Sequence, residues 1–201
     1  MAVTLKTVVL DSEKCIGCIT CMRRCPTEAI RIENGKARIL YDKCINCGEC
    51  VRSCKGGAKR PVYDSFELVE SYPYKIALPS PSLFGQFNNL DDPNYVLEGL
   101  LALGFDEVFE VGLAAELVTD CTRRLMRKNT LPRPVISTAC PAVAELIMLK
   151  FQELADHLLP VYAPAKIAAK LAKKQALERG VPEDDIGIFF ISPCPAKVYS
   201  L

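Results

Sequence analysis

The sequence predicts a small α+β domain built from two similar halves, followed by an α/β domain with a mostly parallel sheet. Three observations lead there. A cysteine pattern occurs twice within the first 54 residues. Apolar residues alternate on both sides of Asn34-Gly35, the strongest short-range hairpin signal. From Tyr74 onward, short apolar runs alternate with amphipathic stretches, the grammar of βαβ units.

The bulk properties agree with this division. The chain has 201 residues, 50% hydrophobic and 24% charged, which suits one ordinary domain plus a small one, each with a buried core. A net charge of +1 lacks the basic footprint of a nucleic-acid binder. No apolar run approaches the roughly 20 residues needed to span a bilayer. Residues 1–10 are too short and too lightly charged for a signal peptide. The expectation is therefore a cytoplasmic protein with neither a nucleic-acid nor a membrane partner.

The elements follow in order. Cys15-Ile-Gly-Cys18 is echoed by Cys44-Ile-Asn-Cys47, so each half reads as a cysteine loop, a short helical turn and a strand. The strands lie on either side of Asn34-Gly35. Glycines and a proline in 55–61 end this domain, taken as 1–60. Residues 61–73 read as a linker with some local structure, and 74–201 as the second domain. There, 75–78 is a strand stopped by Pro79. Asp92-Pro93 opens a helix over 95–103 that Gly104 closes. Residues 107–111 form a strand, 113–128 a helix, 134–137 a strand and 141–158 a helix. A lysine-rich helix over 163–179 ends at Gly180. Residues 185–192 are a continuous apolar strand, as expected where both faces are covered.

Cysteine is the compositional outlier, with eleven residues. An odd, clustered set with no export signal points to a reducing compartment and to metal ligation rather than disulfides. The order Cys15-x2-Cys18-x2-Cys21-x3-Cys25-Pro26, then Cys44-x2-Cys47-x2-Cys50-x3-Cys54, is the bacterial ferredoxin run for two 4Fe–4S clusters. Two residues between thiolates let a tight loop wrap one cubane, and the fourth cysteine points to the other cluster. Cys15, Cys18, Cys21 and Cys54 thus form one ligand set, and Cys44, Cys47, Cys50 and Cys25 the second. Zinc needs four thiolates per site and has no use for a triplet plus one. The second motif carries Lys55 where proline is usual, and that charge would raise its cluster's potential a little.

Cys121, Cys140 and Cys194 remain. Cys140 and Cys194 each follow an apolar run read as a strand and each precede a proline. At the carboxyl end of a parallel sheet such thiols would face the ligand crevice, with Lys197 within reach of it. Two small core cysteines are the competing reading. Cys121 lies mid-helix and reads as a packed core residue. His157, the sole histidine, is assigned no role.

Taken together, these motifs resemble the large subunit of iron-iron hydrogenases, over nearly the whole chain. Gly104-Phe-Asp-Glu-Val-Phe-Glu-Val111 and Ala114-Ala-Glu-Leu117 are similar to the stretch before that family's first cluster motif. Ser137-Thr-Ala-Cys140-Pro141 and Pro193-Cys194-Pro-Ala-Lys197 are similar to its first two cluster motifs. The resemblance implies that Cys140 and Cys194 match two of four cysteines around a catalytic 4Fe–4S/di-iron cluster, and that Lys197 matches a lysine bonded to a di-iron cyanide. Ala139 stands where catalytic members carry a proton-relaying cysteine, and Ser192 where they carry methionine. The third motif lies beyond Leu201, so the expectation is an incomplete, N-terminal portion with an unprotected sheet edge or apolar face.

The resemblance implies an electron-transfer protein of this family, wiring two 4Fe–4S clusters toward a hydrogenase-type site. Ala139 points to a sensory or low-activity member, with no hydrogen turnover by this chain alone. The alternative is a non-catalytic dicluster carrier with a docking domain. A hydrogenase-like protein of iron–sulfur assembly ranks third. The partner in either of the first two readings is a redox protein, a ferredoxin or an oxidoreductase.

Overall fold

The computed structural model describes residues 7–200. In chain order the elements are β1 (Val8–Leu10), α1 (Thr20–Arg24), β2 (Ile30–Glu33), β3 (Lys36–Ile39), α2 (Glu49–Arg52) and β4 (Lys59–Pro61). A 3-10 helix (Phe66–Ser71) leads to β5 (Tyr74–Pro79), α3 (Pro81–Phe84), α4 (Asn94–Ala102), β6 (Glu107–Val108) and α5 (Val111–Lys128). Then come α6 (Pro141–Lys150), a 3-10 helix (Gln152–His157), α7 (Pro164–Glu178), a further 3-10 turn (Glu183–Asp185), β7 (Ile186–Ile191) and α8 (Pro195–Ser200). No helix among the described residues is long and apolar enough to cross a membrane.

These elements gather into two compact units that do not follow chain order. One comprises Met1–Tyr63, Pro132–Leu158 and Cys194–Leu201; the other comprises Asp64–Leu131 and Leu159–Pro193. The unit bounds therefore differ from the 1–60, 61–73 and 74–201 division, because two later segments fold with the cysteine-rich part.

In the first unit β2 and β3 pair antiparallel, with Ile30 opposite Ile39 and Glu33 opposite Lys36. The turn between them has positive φ at Asn34 and Gly35, as its two-residue loop demands. β1 pairs antiparallel with β4, Leu10 opposite Lys59. Cys15, Cys21, Ile30, Ala37 and Ala58 form the buried centre, with Leu10, Met22 and Ile32 against it. A smaller cluster joins Ile45 to Ala142 of α6 and Ala196 of α8.

Two expectations fail here. Residues 134–137 are not a strand; only an isolated bridge joins Ile136 to Leu158. Pro132 and Pro134 remove backbone donors just where a ladder would begin. The helix expected over 141–158 stops at Lys150, and Phe151 leaves helical geometry at φ −136°, ψ 54°. A 3-10 helix finishes the stretch.

The second unit holds a three-stranded parallel sheet in the order β6-β5-β7. β5 is its centre, running from Tyr74 opposite Ile186 to Pro79 opposite Ile191. Its side chains alternate. Ile76 and Leu78 pack on Val111 and Ala114 of α5 and on Ala165, Ala168, Ala172 and Ala176 of α7. Ala77 faces Val69, Leu100 and Phe105 on the other side. The alanines of α7 recur at three- and four-residue spacing, so the helix backbone comes close to the sheet. The 107–111 strand shortens to Glu107–Val108, because α5 begins at Val111; Phe109 still donates its N–H to the Ala77 carbonyl at 2.9 Å. Asp92 caps α4, its Oδ1 accepting from the Asn94 N–H at 2.9 Å. β7 lies at a sheet edge, and its residues 188–191 are half-buried.

Candidate metal centre

The cysteine loops of the first unit reach their short helices through left-handed residues, Ile19 at φ 57° before α1 and Gly48 at φ 75° before α2. Each turn carries the third cysteine of its motif, Cys21 or Cys50, onto a helix. The fourth cysteine follows: Cys25 caps the end of α1, and Cys54 lies just beyond α2. Gly17 is required in the first loop. Its φ is +67°, and a Cβ there would fall onto the Gly35 carbonyl oxygen of the hairpin turn.

Two separate cavities result. One, of about 220 Å³, is lined by Cys15, Cys18, Cys21 and Cys54 within an apolar wall that includes Leu10 and Ile32. The other, of about 20 Å³, is lined by Cys25, Cys44, Cys47 and Cys50. Each cavity takes three thiols from one motif and the fourth from the other. All eleven cysteines are free thiols. Among the described residues, no three histidine, cysteine, aspartate or glutamate side chains converge as a single metal ion would need. In the first cavity the thiols surround a volume rather than a point, and four thiols about an apolar volume is the donor set of a cubane cluster.

Backbone donors already aim at the sulfurs. The Ala37 N–H donates to Cys15 Sγ at 3.4 Å, and the Ala29 N–H to Cys25 Sγ at 3.2 Å. Lys36 Nζ donates to the Cys15 carbonyl at 2.6 Å and ties the loop to β3. The thiols differ electrostatically. The Ala37 N–H holds the Cys15 thiol below its ordinary pKa, and the Thr20 N–H does the same for Cys18. Burial pushes Cys21, Cys44 and Cys47 up, and Cys50 up to about 12. For Cys21 and Cys50 the largest opposing effect is the charge of Lys59.

Lys59 is a residue that sequence reasoning passed over. It is 3% exposed, lines the first cavity, and its Nζ has no hydrogen-bond partner. A signal existed in the internal repeat. Cys25-Pro-Thr-Glu-Ala29-Ile30 aligns with Cys54-Lys-Gly-Gly-Ala58-Lys59, which sets the lysine at the counterpart of buried Ile30.

The three remaining cysteines divide. Cys140 and Cys194 stand immediately before helices that have proline at the first position, α6 and α8. Both belong to the cysteine-rich unit, and the 134–137 segment before Cys140 is no sheet strand. Cys140 is exposed. Cys194 is half-buried and packs with Cys47 around Ile45, Ala142 and Ala196. A Cβ on Gly48 would come within 3.0 Å of the Pro195 ring, so the start of α8 abuts the second cysteine loop. Lys197 is half-buried on α8, its N–H bonded to the Cys194 carbonyl at 3.1 Å. The Ala139 N–H donates to Ser137 Oγ at 3.3 Å. Cys121 is exposed, contrary to a core role. Position 121 lies two turns after buried Ala114 on the same face of α5, but residues 119–128 are mostly exposed and Cys121 with them. His157 Nδ1 lies 2.8 Å from the Pro134 carbonyl oxygen.

With this geometry in view, the comparisons are specific. The family model described as iron only hydrogenase large subunit, C-terminal domain, matches residues 74–200. A 4Fe-4S dicluster domain matches residues 7–55. The chain is similar to the periplasmic [Fe] hydrogenase large subunit of Nitratidesulfovibrio vulgaris, 30% identical over 217 residues, covering 97% of this chain and 51% of that protein. It thus spans about half the length of that relative. It is also similar to Ferredoxin-2 of Desulfomicrobium norvegicum, 52% identical over 31 residues, covering 15% of this chain and 52% of that protein. The chain is an iron–sulfur protein with two 4Fe–4S clusters.

Proposed function

Because the chain belongs to the iron-only hydrogenase large-subunit family, we propose that it conducts single electrons between a redox partner protein and a hydrogenase-type site beside Cys140 and Cys194. When bound, a 4Fe–4S cluster accepts or releases one electron. Cys15, Cys18, Cys21 and Cys54 hold one cluster, and Cys25, Cys44, Cys47 and Cys50 hold the other. The observation that carries this is the crossed lining of the two cavities. Packing of Cys194 with Cys47 supports an exit through the second set toward Cys194.

The finer role is that of a sensory or low-activity member. Its support is Ala139, whose methyl group moves no proton at a position where the family's catalytic proteins use a thiol. Lys197, three residues beyond Cys194, is the cation available to an anionic ligand there. Beyond the eight motif cysteines, Cys140 and Cys194 are two thiols where that family's catalytic cluster uses four. The chain as given is expected to show no infrared bands from carbonyl or cyanide ligands and no hydrogen turnover. A carrier with a docking domain remains the second reading, favoured by the ferredoxin-like stretch alone. Eleven free thiols favour a reducing, low-oxygen compartment, cytoplasmic in our reading.

The test is anaerobic reconstitution of the chain and of paired variants. The parent should bind about eight irons. Cys15→Ser with Cys54→Ser removes two ligands from one set and should leave the other cluster, about four irons. Cys15→Ser with Cys25→Ser damages both sets and should lose both clusters. Equal iron in the two double variants would sink the crossed assignment.

A further inference from the structure

Lys59 is a charged side chain in a place where charge is costly. It is 3% exposed, its Nζ has no hydrogen-bond partner, and it makes no ion pair with a carboxylate among the described residues. A buried ammonium in that state is unfavourable unless opposite charge lies nearby. It lines the first cavity together with Cys15, Cys18, Cys21 and Cys54. The repeat adds an independent point. The first half has Ile30 at this position, 2% exposed, so the fold accommodates an apolar side chain there.

We propose that Lys59 is the internal counter-charge of the cluster held by Cys15, Cys18, Cys21 and Cys54, and raises its reduction potential. The inference rests on the reading that the eight motif cysteines hold the clusters. A cubane bound by four thiolates carries net negative charge, and each added electron deepens it. A fixed cation in an apolar wall attracts both forms of that cluster, and the more negative reduced form more strongly. No proton moves; one electron arrives from an external one-electron donor and stays on the cluster. Lys55 lines the same cavity but is solvent-exposed, so salt screens it where it does not screen Lys59.

The experiment compares the parent, Lys59→Ile, Lys59→Arg and Lys55→Met, each reconstituted anaerobically, with iron counted and both potentials read by EPR-monitored dithionite titration at low and high salt. Lys59→Ile should keep its iron. Its one-electron reduction equilibrium should fall about tenfold at the first cluster, which is about 59 mV. That loss should persist at high salt. Lys59→Arg should stay near the parent, and any shift in Lys55→Met should shrink as salt rises. Unchanged potentials in an iron-replete Lys59→Ile chain overturn the proposal. If Lys59→Ile fails to load, Lys59→Arg decides. Full loading at parental potentials upholds the charge, and failure of both variants shows that shape alone matters and overturns it. A parent with far fewer than about eight irons would instead sink the cluster reading itself.

Discussion

At the scale of single residues, Gly17 shows how little freedom the cysteine loops have. Its positive φ and its approach to the Gly35 carbonyl leave no space for a Cβ. Gly17→Ala is expected to cost about 1–3 kcal/mol in backbone strain. The strain falls on the loop of Cys15 and Cys18, so iron analysis should show loss of one cluster and retention of the other. Full iron content in that variant would contradict the geometry. Lys59 is the opposite case, a residue whose importance is electrostatic. A lysine read in isolation is a surface residue. The repeat with Ile30 marks it as inward, and burial with no hydrogen-bond partner turns that mark into a physical question.

At the scale of elements, α6 and α7 illustrate two kinds of packing. Ala168, Ala172 and Ala176 on α7 are fully buried. Ala172→Leu would force three extra carbons between helix and sheet and should destabilise by about 1–3 kcal/mol, measured by urea unfolding of the second unit's signal. On α6, burial holds the Glu145 carboxyl above its ordinary pKa of 4.5. The folded chain then binds the proton more tightly than the unfolded chain. The associated stability is complete below the ordinary value and is lost as pH rises through the folded one. Glu145→Gln should therefore be more stable than the parent at neutral pH. That advantage should fade as pH falls toward 4.5. A constant difference across that range would exclude Glu145 as the source. α5 shows why Cys121 is not a core residue: the helix is buried at Val111 and Ala114, while residues 119–128 are mostly exposed whatever face they lie on.

At the scale of the whole molecule, the two compact units set what iron removal should do. The clusters belong to a unit with small cores, in which thiols themselves supply much of the buried surface. The other unit has a sheet covered on both faces by apolar side chains. Metal binding to the folded chain adds to the stability of the part that holds it. Chelation is therefore expected to abolish hydrogen-exchange protection in β2, β3 and β4 while β5 and α7 stay protected. Equal loss in both units would show that the second depends on the clusters. Ile76→Ala, at the fully buried centre of β5, should act the other way. A loss of about 2–5 kcal/mol is expected in the second unit, with the iron count unchanged.

The sequence by itself determined what local chemistry controls. Thiol spacing is a statement about loop length, so the two cysteine loops and their cluster type were legible; Asn34-Gly35 demands a tight turn, so the hairpin was legible too. The lysine-rich amphipathic stretch ending at Gly180 and the apolar runs at 75–78 and 185–192 announced α7, β5 and β7. Tertiary structure alone decided the rest. The two apolar residues Val135 and Ile136, next to prolines, read as a strand, yet have no ladder to join. The return of Pro132–Leu158 and Cys194–Leu201 to the cysteine-rich unit depends on contacts distant in sequence, Ile45 with Ala142 and Ala196. No local pattern encodes such contacts, because each partner alone is only a small apolar residue. The same holds for Lys59: its charge is visible in the sequence, but only the fold removes the water around it and leaves the thiols as its surroundings.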